Sequence, residues 1–271
     1  MLIYRPMQSG SAIIRLFVGL ILIAPWLSQS AEFKVLTYNI HHGRGMDGTI
    51  DLPRIAGVIL KSGADIVALQ EVDRMTERNN GVDTIYELSR LTGMAFVFSQ
   101  NIPYQGGMYG NAFLSRYPVK DFSNHHYKML REGEQRGMLM IRVALPGGQT
   151  ASVWNTHLDY RSDPAERLLC IEQIKKLSES HPSGEPLILV GDFNTLPGKA
   201  AYQKAAGLWS DAWLLVHPEG DGFTFPSDGP QRRIDFQFII GTEATVHPVE
   251  ALVMNTEASD HLPLAVSYRF E

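Results

Sequence analysis

Apolar residues in this chain fall mostly in short runs rich in β-branched and aromatic side chains. Phe33 to Ile40, Asp65 to Val72, Phe96 to Gln100, Asn111 to Ser115 and Gly137 to Leu145 read as strands. So do Ala151 to His157, Pro186 to Val190, Ile234 to Ile240, Val246 to Val253 and Leu262 to Phe270. Helical spacing appears between them. Asp51 and Pro53 suit the cap and first turn of a helix whose Ile55, Val58 and Ile59 share one face. Thr84 to Leu91 reads as a second helix, stopped by Gly93. Pro164 opens a third, carrying Leu168, Ile171, Ile174 and Leu177. Strands outnumber helices, and several are apolar on both faces. That pattern predicts two sheets packed together with helices outside.

The first thirty residues follow a different rule. Arg5 and Arg15 are their only charges, an apolar run spans Leu16 to Leu27, and Ser28 and Ser30 are small. This is the layout of a secretory signal. Twelve residues broken by Pro25 would rise only about 18 Å as a helix, short of a hydrocarbon core of about 30 Å. An uncleaved short anchor is the alternative. Cleavage after Ser30 leaves 31–271 and takes the formal charge from −5 to −7. The rest shows no repeat, low-complexity tract or Pro/Ser-rich linker, so 31–271 reads as one domain in a periplasmic or secreted protein.

Composition narrows the classes. With 271 residues, 44% hydrophobic and 20% charged, the chain is neither disordered nor collagen-like. Cys170 is its one cysteine, which excludes an intrachain disulfide or a cysteine-based metal cluster. It lies on the apolar stripe of the third helix and reads as core. The acidic balance argues against a simple basic clamp for nucleic acid.

The chemistry is marked by acids, amides and histidines that break into or end the apolar strands. Asn39 ends the first, Glu71 follows LQ, His157 ends WNTH, and Asp192 and Asn194 end ILVGDFN. Asp235 lies within RRIDFQF, and Asp260-His261 precede the last strand. Charges against core strands are costly unless paired or metal-bound, so residues from six segments suggest one shared site. Carboxylates with an amide suit a hard cation such as Mg²⁺. Histidines with a further carboxylate suit proton transfer at phosphorus. No Ser or Cys nucleophile is required, and no G-x-S-x-G is present.

The motifs TYNI, LQEVD, GNAFLSR, NTHLD, GDFN, RIDF and SDHLPL together resemble the endonuclease/exonuclease/phosphatase superfamily, from about Thr37 to Pro263. Deoxyribonuclease I, apurinic endonucleases, neutral sphingomyelinases and inositol polyphosphate 5-phosphatases belong to it. The resemblance implies a four-layer α/β sandwich of two mixed sheets, with the active site at one end. It implies Glu71 as principal metal ligand, Asn39 beside metal and phosphate, and Asp260 supporting the metal. Asp192 would orient or deprotonate the attacking water, with Asn194 on the phosphate. His261 would bind a phosphoryl oxygen or act as general acid/base, backed by Asp235, and His157 would be a second such histidine. The carboxylate that backs this histidine in the nucleases has no match here. Mg²⁺ is the implied cofactor, with Mn²⁺ the alternative.

Lesser signals complete the reading. Gly43 to Gly48 matches G-x-G-x-x-G, but the helix starts too late for a dinucleotide fold, so it reads as a loop bordering the site. His41 and His42 are loop histidines within reach of substrate, and His125-His126 read as surface. Arg136 either faces the phosphate or is a solvated strand start, and Asn111 either contacts substrate or is a turn residue. The short spacing between motifs leaves no room for long DNA-gripping insertions. The expected activity is therefore hydrolysis of a phosphoester, foremost a phosphodiester, in a small molecule or lipid headgroup, by a monomer. A secreted nuclease acting on nucleic acid and a catalytically idle phosphate-binding module are the alternatives. For the N-terminal segment the expectation is direct: sequencing of the exported protein starts near Ala31 or Glu32. Recovery of intact Met1 only from membranes would replace the signal with an anchor.

Overall fold

The computed structural model describes residues 32–241 and 246–270, so the signal-like segment lies outside the described residues. Among the described residues there are twelve strands: β1 Glu32–Asn39, β2 Ile66–Arg74, β3 Ala95–Tyr104, β4 Gly107–Ser115, β5 Val119–His126 and β6 Gly137–Ala144. They continue as β7 Thr150–His157, β8 Leu187–Asp192, β9 Ser210–Asp211, β10 Asp235–Ile240, β11 Val246–Val253 and β12 Leu264–Phe270. The α-helices are α1 Leu52–Ser62, α2 Thr84–Thr92, α3 Ala165–Ser178, α4 Ala200–Ala206 and α5 Ala212–Val216.

The strands form two mixed six-stranded sheets, ordered β11-β12-β1-β2-β4-β3 and β5-β6-β7-β8-β10-β9. Each has one parallel pair near its middle, β1 with β2 and β7 with β8, and antiparallel neighbours elsewhere. A parallel pair needs a crossover, and α1 and α3 supply the two. Strand alternation builds the layers. In β1, Phe33 and Val35 point into a core shared with Val153, Ile188 and Val190 of the other sheet. Leu36 and Tyr38 point the other way, onto Ile55, Ile59, Ile85 and Leu88 of α1 and α2. Across the molecule, Leu187, Leu189, Phe236 and Phe238 pack against Cys170, Ile171 and Ile174 of α3. This is the four-layer sandwich, and Cys170 is a buried free thiol within it.

Local signals act as expected at the helix ends. The Asp51 carboxylate accepts the Arg54 amide, and Gly63 and Gly93 close α1 and α2 in the left-handed conformation. Several elements differ from the sequence reading. β5 was not expected, because it is an edge strand whose residues are mostly exposed and show no apolar alternation. α4 and α5 span only seven and five residues, too short for a helical period to register. β3 and β4 run further than expected, to a tight hairpin at Gln105-Gly106 with both residues at positive φ.

Buried amides cross the sheet interface. Gln70 of β2 donates to the Asn155 side-chain oxygen at 2.7 Å, and Asn155 of β7 donates to the carbonyls of Leu69 and Ala112 at 2.9 and 3.0 Å. Gln237 of β10 donates to the carbonyls of Val35 and Leu264. Asn155→Ala removes the side-chain donor of two buried carbonyls, each costing about 1–3 kcal/mol, while the Gln70 amide keeps Thr37 Oγ1 at 3.1 Å. Denaturant unfolding should show a loss of at least about 2 kcal/mol. A loss within about 0.5 kcal/mol, typical of a surface position, would contradict this role.

Candidate active site

The site lies where both parallel pairs end. In the first sheet Asn39 ends β1 beside Gln70 of β2. In the second His157 ends β7 beside Asp192 of β8. Asp235 pairs with Asp192 from β10, and His261 comes from the loop before β12. Ligands in mixed α/β sheets commonly bind beyond the carboxyl ends of parallel strands.

Asp192 is the hub. Its Oδ2 accepts the Asn39 amide at 3.1 Å and lies 3.5 Å from His157 Nε2 and 3.7 Å from His261 Nε2. Its Oδ1 accepts the Asn194 backbone N–H at 2.9 Å. Behind His261, Nδ1 meets Asp235 Oδ2 at 2.9 Å. Asn39 also donates to Glu71 Oε1 at 3.1 Å, and its own oxygen accepts the His41 N–H. Asn39, His157, Asp192, Asp235 and His261 are buried, whereas Glu71, Asn194 and Asp260 are half-exposed. The aromatic ring of Phe225 packs edge-on to His261 at 4.8 Å.

The backbone is bent to make this arrangement. Glu71 has φ +58° at a bulge where Gln70 and Glu71 together oppose Asn111. His41, His42 and Asn194 also have positive φ. Such conformations cost about 1–3 kcal/mol at a non-glycine residue and cluster at functional sites. The bulge turns Glu71 out of the ladder, while its neighbour Gln70 stays buried as a cross-sheet bond.

Electrostatics give the histidines different charges. Burial opposes charge on His261, but Asp235, then Asp192 and Asp260, outweigh it and hold the imidazole up to about 10. Burial drives His157 well below its usual range, with Arg136 and His261 adding to the effect. The surroundings thus favour the neutral form of His157, which has no backing carboxylate, and the imidazolium form of His261. Burial lifts Asp192 to about 7, against the opposing pull of His261, Asn194 and Asn39.

The carboxylate–imidazole cluster whose ligand atoms lie within 4.8 Å of one another is Asp192, Asp235 and His261. A cation there would have to displace the proton already held between His261 and Asp235. Glu71 and Asp260 fit a hard cation better. Both reach solvent, and among the described residues no Lys or Arg forms an ion pair with either. Oxygen-donor side chains beside open solvent suit a hard cation that keeps several waters. Asn39 donates to both Glu71 and Asp192 and so positions the two carboxylates, while its oxygen accepts the His41 N–H.

Other expected residues fall differently. Asn111 is buried below the cleft, donating to the carbonyls of Gly137 and Asn155, and so supports the floor instead of meeting substrate. Arg136 is not a solvated strand start: it is 2% exposed, pairs with Glu134 at 2.7 Å and lies near His157. His41 borders the site, 3.7 Å from Asp260. His125-His126 belong to the edge strand β5, outside it. Gln70, Asn155, Ser259 and Phe225 were missed. Ser259 donates to the Asn39 carbonyl at 2.8 Å, which ties the Asp260-His261 loop to β1. The first three lie within the motifs, where a polar residue in a buried run was the available signal. Phe225 had none.

With this geometry the comparisons agree. The model of the Endonuclease/Exonuclease/phosphatase family matches residues 36–261, and the chain belongs to that family. Its members hydrolyse phosphoester bonds. Uncharacterized protein YbhP of Escherichia coli K12 is 32% identical over 252 residues, covering 89% of this chain and 98% of YbhP. Among solved structures, an endonuclease/exonuclease/phosphatase from Beutenbergia cavernae is 23% identical, with a TM-score of 0.71, covering 89% of this chain and 72% of that one. Bacteroides thetaiotaomicron mannosyl-6-phosphatase Bt3783 is 17% identical, with a TM-score of 0.72, covering 88% and 100%. The human Nocturnin catalytic domain is 18% identical, with a TM-score of 0.67, covering 89% and 95%. These structural likenesses carry the fold.

The charge on His261 can be read directly. Asp235 raises its pKa by favouring the imidazolium, so Asp235→Asn should move the titration to lower pH. Proton NMR of the imidazole in metal-free protein should show the midpoint fall by more than one unit. An unchanged midpoint would show that Asp235 does not hold that proton.

Proposed function

We propose that this chain is an exported, monomeric, Mg²⁺-dependent phosphodiesterase acting on a small or lipid-headgroup phosphodiester. The observation that carries the reading is the Asp192–His261–Asp235 arrangement, with the neutral His157 on the same carboxylate oxygen. Hydrolysis by in-line water attack needs an oriented nucleophile, neutralised phosphoryl oxygens and help for the leaving group. Asp192, lifted towards neutrality, can orient a water and accept its proton. The His261 imidazolium, fixed by Asp235, can bind a phosphoryl oxygen or give a proton to the leaving oxygen. Neutral His157 can donate a hydrogen bond without competing for the charge. Asn194 holds Asp192 through its backbone N–H, and its side chain is tied to the Leu158 carbonyl. A divalent cation at Glu71 and Asp260 would neutralise charge on the phosphoryl group.

The acidic balance supports a small substrate over a long nucleic acid. A sugar phosphomonoester is the second reading, suggested by the similar fold of a mannosyl-6-phosphatase.

The test is steady-state cleavage of bis(p-nitrophenyl) phosphate, with p-nitrophenyl phosphate, plasmid DNA and phospholipid in parallel, with Mg²⁺ and with chelator. Asp192→Asn and His261→Ala should each lower the diester rate by about 10²–10⁴. The double variant should lose much less than the product, because groups acting in one transition state are not additive. Glu71→Gln should weaken Mg²⁺ activation. Near-normal turnover by either folded single variant would move the binding-module reading ahead. Activity indifferent to chelator and to Glu71→Gln would end the metal assignment.

A further inference from the structure

A cavity of about 460 Å³ opens beside the reacting centre, lined among others by Tyr160, Arg161, Arg167, Asn194, Lys199 and Arg232. None of the side chains lining it is a carboxylate. Its walls come from the segments next to three site residues. Tyr160 and Arg161 follow His157, Asn194 to Lys199 follow Asp192, and Arg232 precedes Asp235. The cavity is thus continuous in the chain with the catalytic strand ends.

Its cations are of two kinds. Arg161 is paired with Asp159, and Arg167 donates to the carbonyls of Asp159 and Arg161, so both stiffen the wall. Lys199 and Arg232 are exposed, and among the described residues neither pairs with a carboxylate. Arg232 is nevertheless fixed. A backbone bridge joins it to Phe225, and its guanidinium lies 4.5 Å from that ring's centroid. The same ring touches His261. An unpaired cation held rigidly one ring away from the reacting imidazole is prepared for an anion, since little ordering is left to do on binding.

We propose that this cavity binds a second phosphate group of the substrate, carried on a small molecule, with Lys199 and Arg232 as its specificity-determining contacts. The inference rests on the phosphoesterase reading for which phosphate is attacked, but the binding it predicts is measurable without turnover. Two charges on the terminal phosphate and two unpaired cations match in number. Tyr160, 68% exposed at the rim with the Arg136 guanidinium 5.9 Å from its ring centroid, offers a flat surface to the group that joins the two phosphates.

The test is calorimetric binding to the purified metal-free protein. The probes are thymidine 5′-phosphate, thymidine 3′,5′-bisphosphate and tetrathymidylate. The bisphosphate should bind at least tenfold more tightly than the monophosphate, a difference of about 1.4 kcal/mol. Lys199→Glu and Arg232→Glu should each reduce that preference, and the double variant should abolish it. Equal affinity for the two mononucleotides, or a preference that survives in the folded double variant, would overturn the second site. Tetrathymidylate binding below the bisphosphate supports a small-molecule source. The reverse order would overturn that part. Failure to cleave bis(p-nitrophenyl) phosphate would count against the catalytic reading alone, because the binding ratio does not depend on it.

Discussion

The bond between Gln70 and Asn155 is the constraint on which this structure turns. The site draws Asn39 and Glu71 from one sheet and His157, Asp192 and Asp235 from the other. An apolar interface alone would hold the sheets together but would tolerate sliding, because hydrophobic contact is not directional. A buried amide pair does not tolerate it, since a shift of an ångström leaves its groups unpaired in a low-dielectric interior. Gln70 immediately precedes Glu71, and Asn155 lies two residues before His157. The pair therefore fixes the spacing between the sheet end that carries Glu71 and the one that carries His157 and Asp192.

The second constraint is electrostatic. Asp192 is 1% exposed, and an isolated carboxylate there would be neutral. Nitrogen donors from four segments surround it, yet burial still leaves its proton affinity high. A fully compensated ion pair would have made a poor base. A wholly uncompensated one would never ionise near neutrality. Asp235 resolves the matter by charging His261 from behind, so that the imidazolium supports Asp192 without a direct short hydrogen bond to it. The strained backbone at Glu71 and Asn194 has the same logic: packing elsewhere holds conformations that local preference opposes.

How much of this was legible in the sequence follows from where each signal resides. The sheets were legible because their strands are apolar on both faces, and the site because Asn39, His157 and Asp192 break that pattern at strand ends. For Arg136 the sequence left two readings open, because a guanidinium at a strand start usually means solvent; here it is buried, and Glu134, two residues away, and the Tyr160 ring receive it. Asn111 lay in a family motif and was read as a substrate contact or a turn residue; it is neither, because it sits buried within β4 and the bulge opposite it turns Glu71 to the cleft. Gln70 and Asn155 looked like ordinary polar residues of half-buried strands. Their partnership spans 85 residues and exists only once the sheets face each other. β5 was illegible for the opposite reason, since an exposed edge strand carries no burial pattern to read.

Charge works at two ranges in this molecule, and the two act in opposite directions. The formal charge of the whole chain is −5, becoming −7 without the first thirty residues. That field repels anions at a distance, but salt screens it within about 8 Å. In the cavity beside Asn194 the balance reverses locally, because Arg161, Arg167, Lys199 and Arg232 line it and no carboxylate does. On the proposed reading, a long polyanion would lie across both regions and meet the acidic field along most of its length. A compact anion can occupy the cleft alone, where low dielectric strengthens each contact. The same strand ends supply the reacting groups and the cations, while the amide-pinned sheets hold those ends still. Loop substitutions can therefore alter which anion enters without moving the atoms that would cleave it.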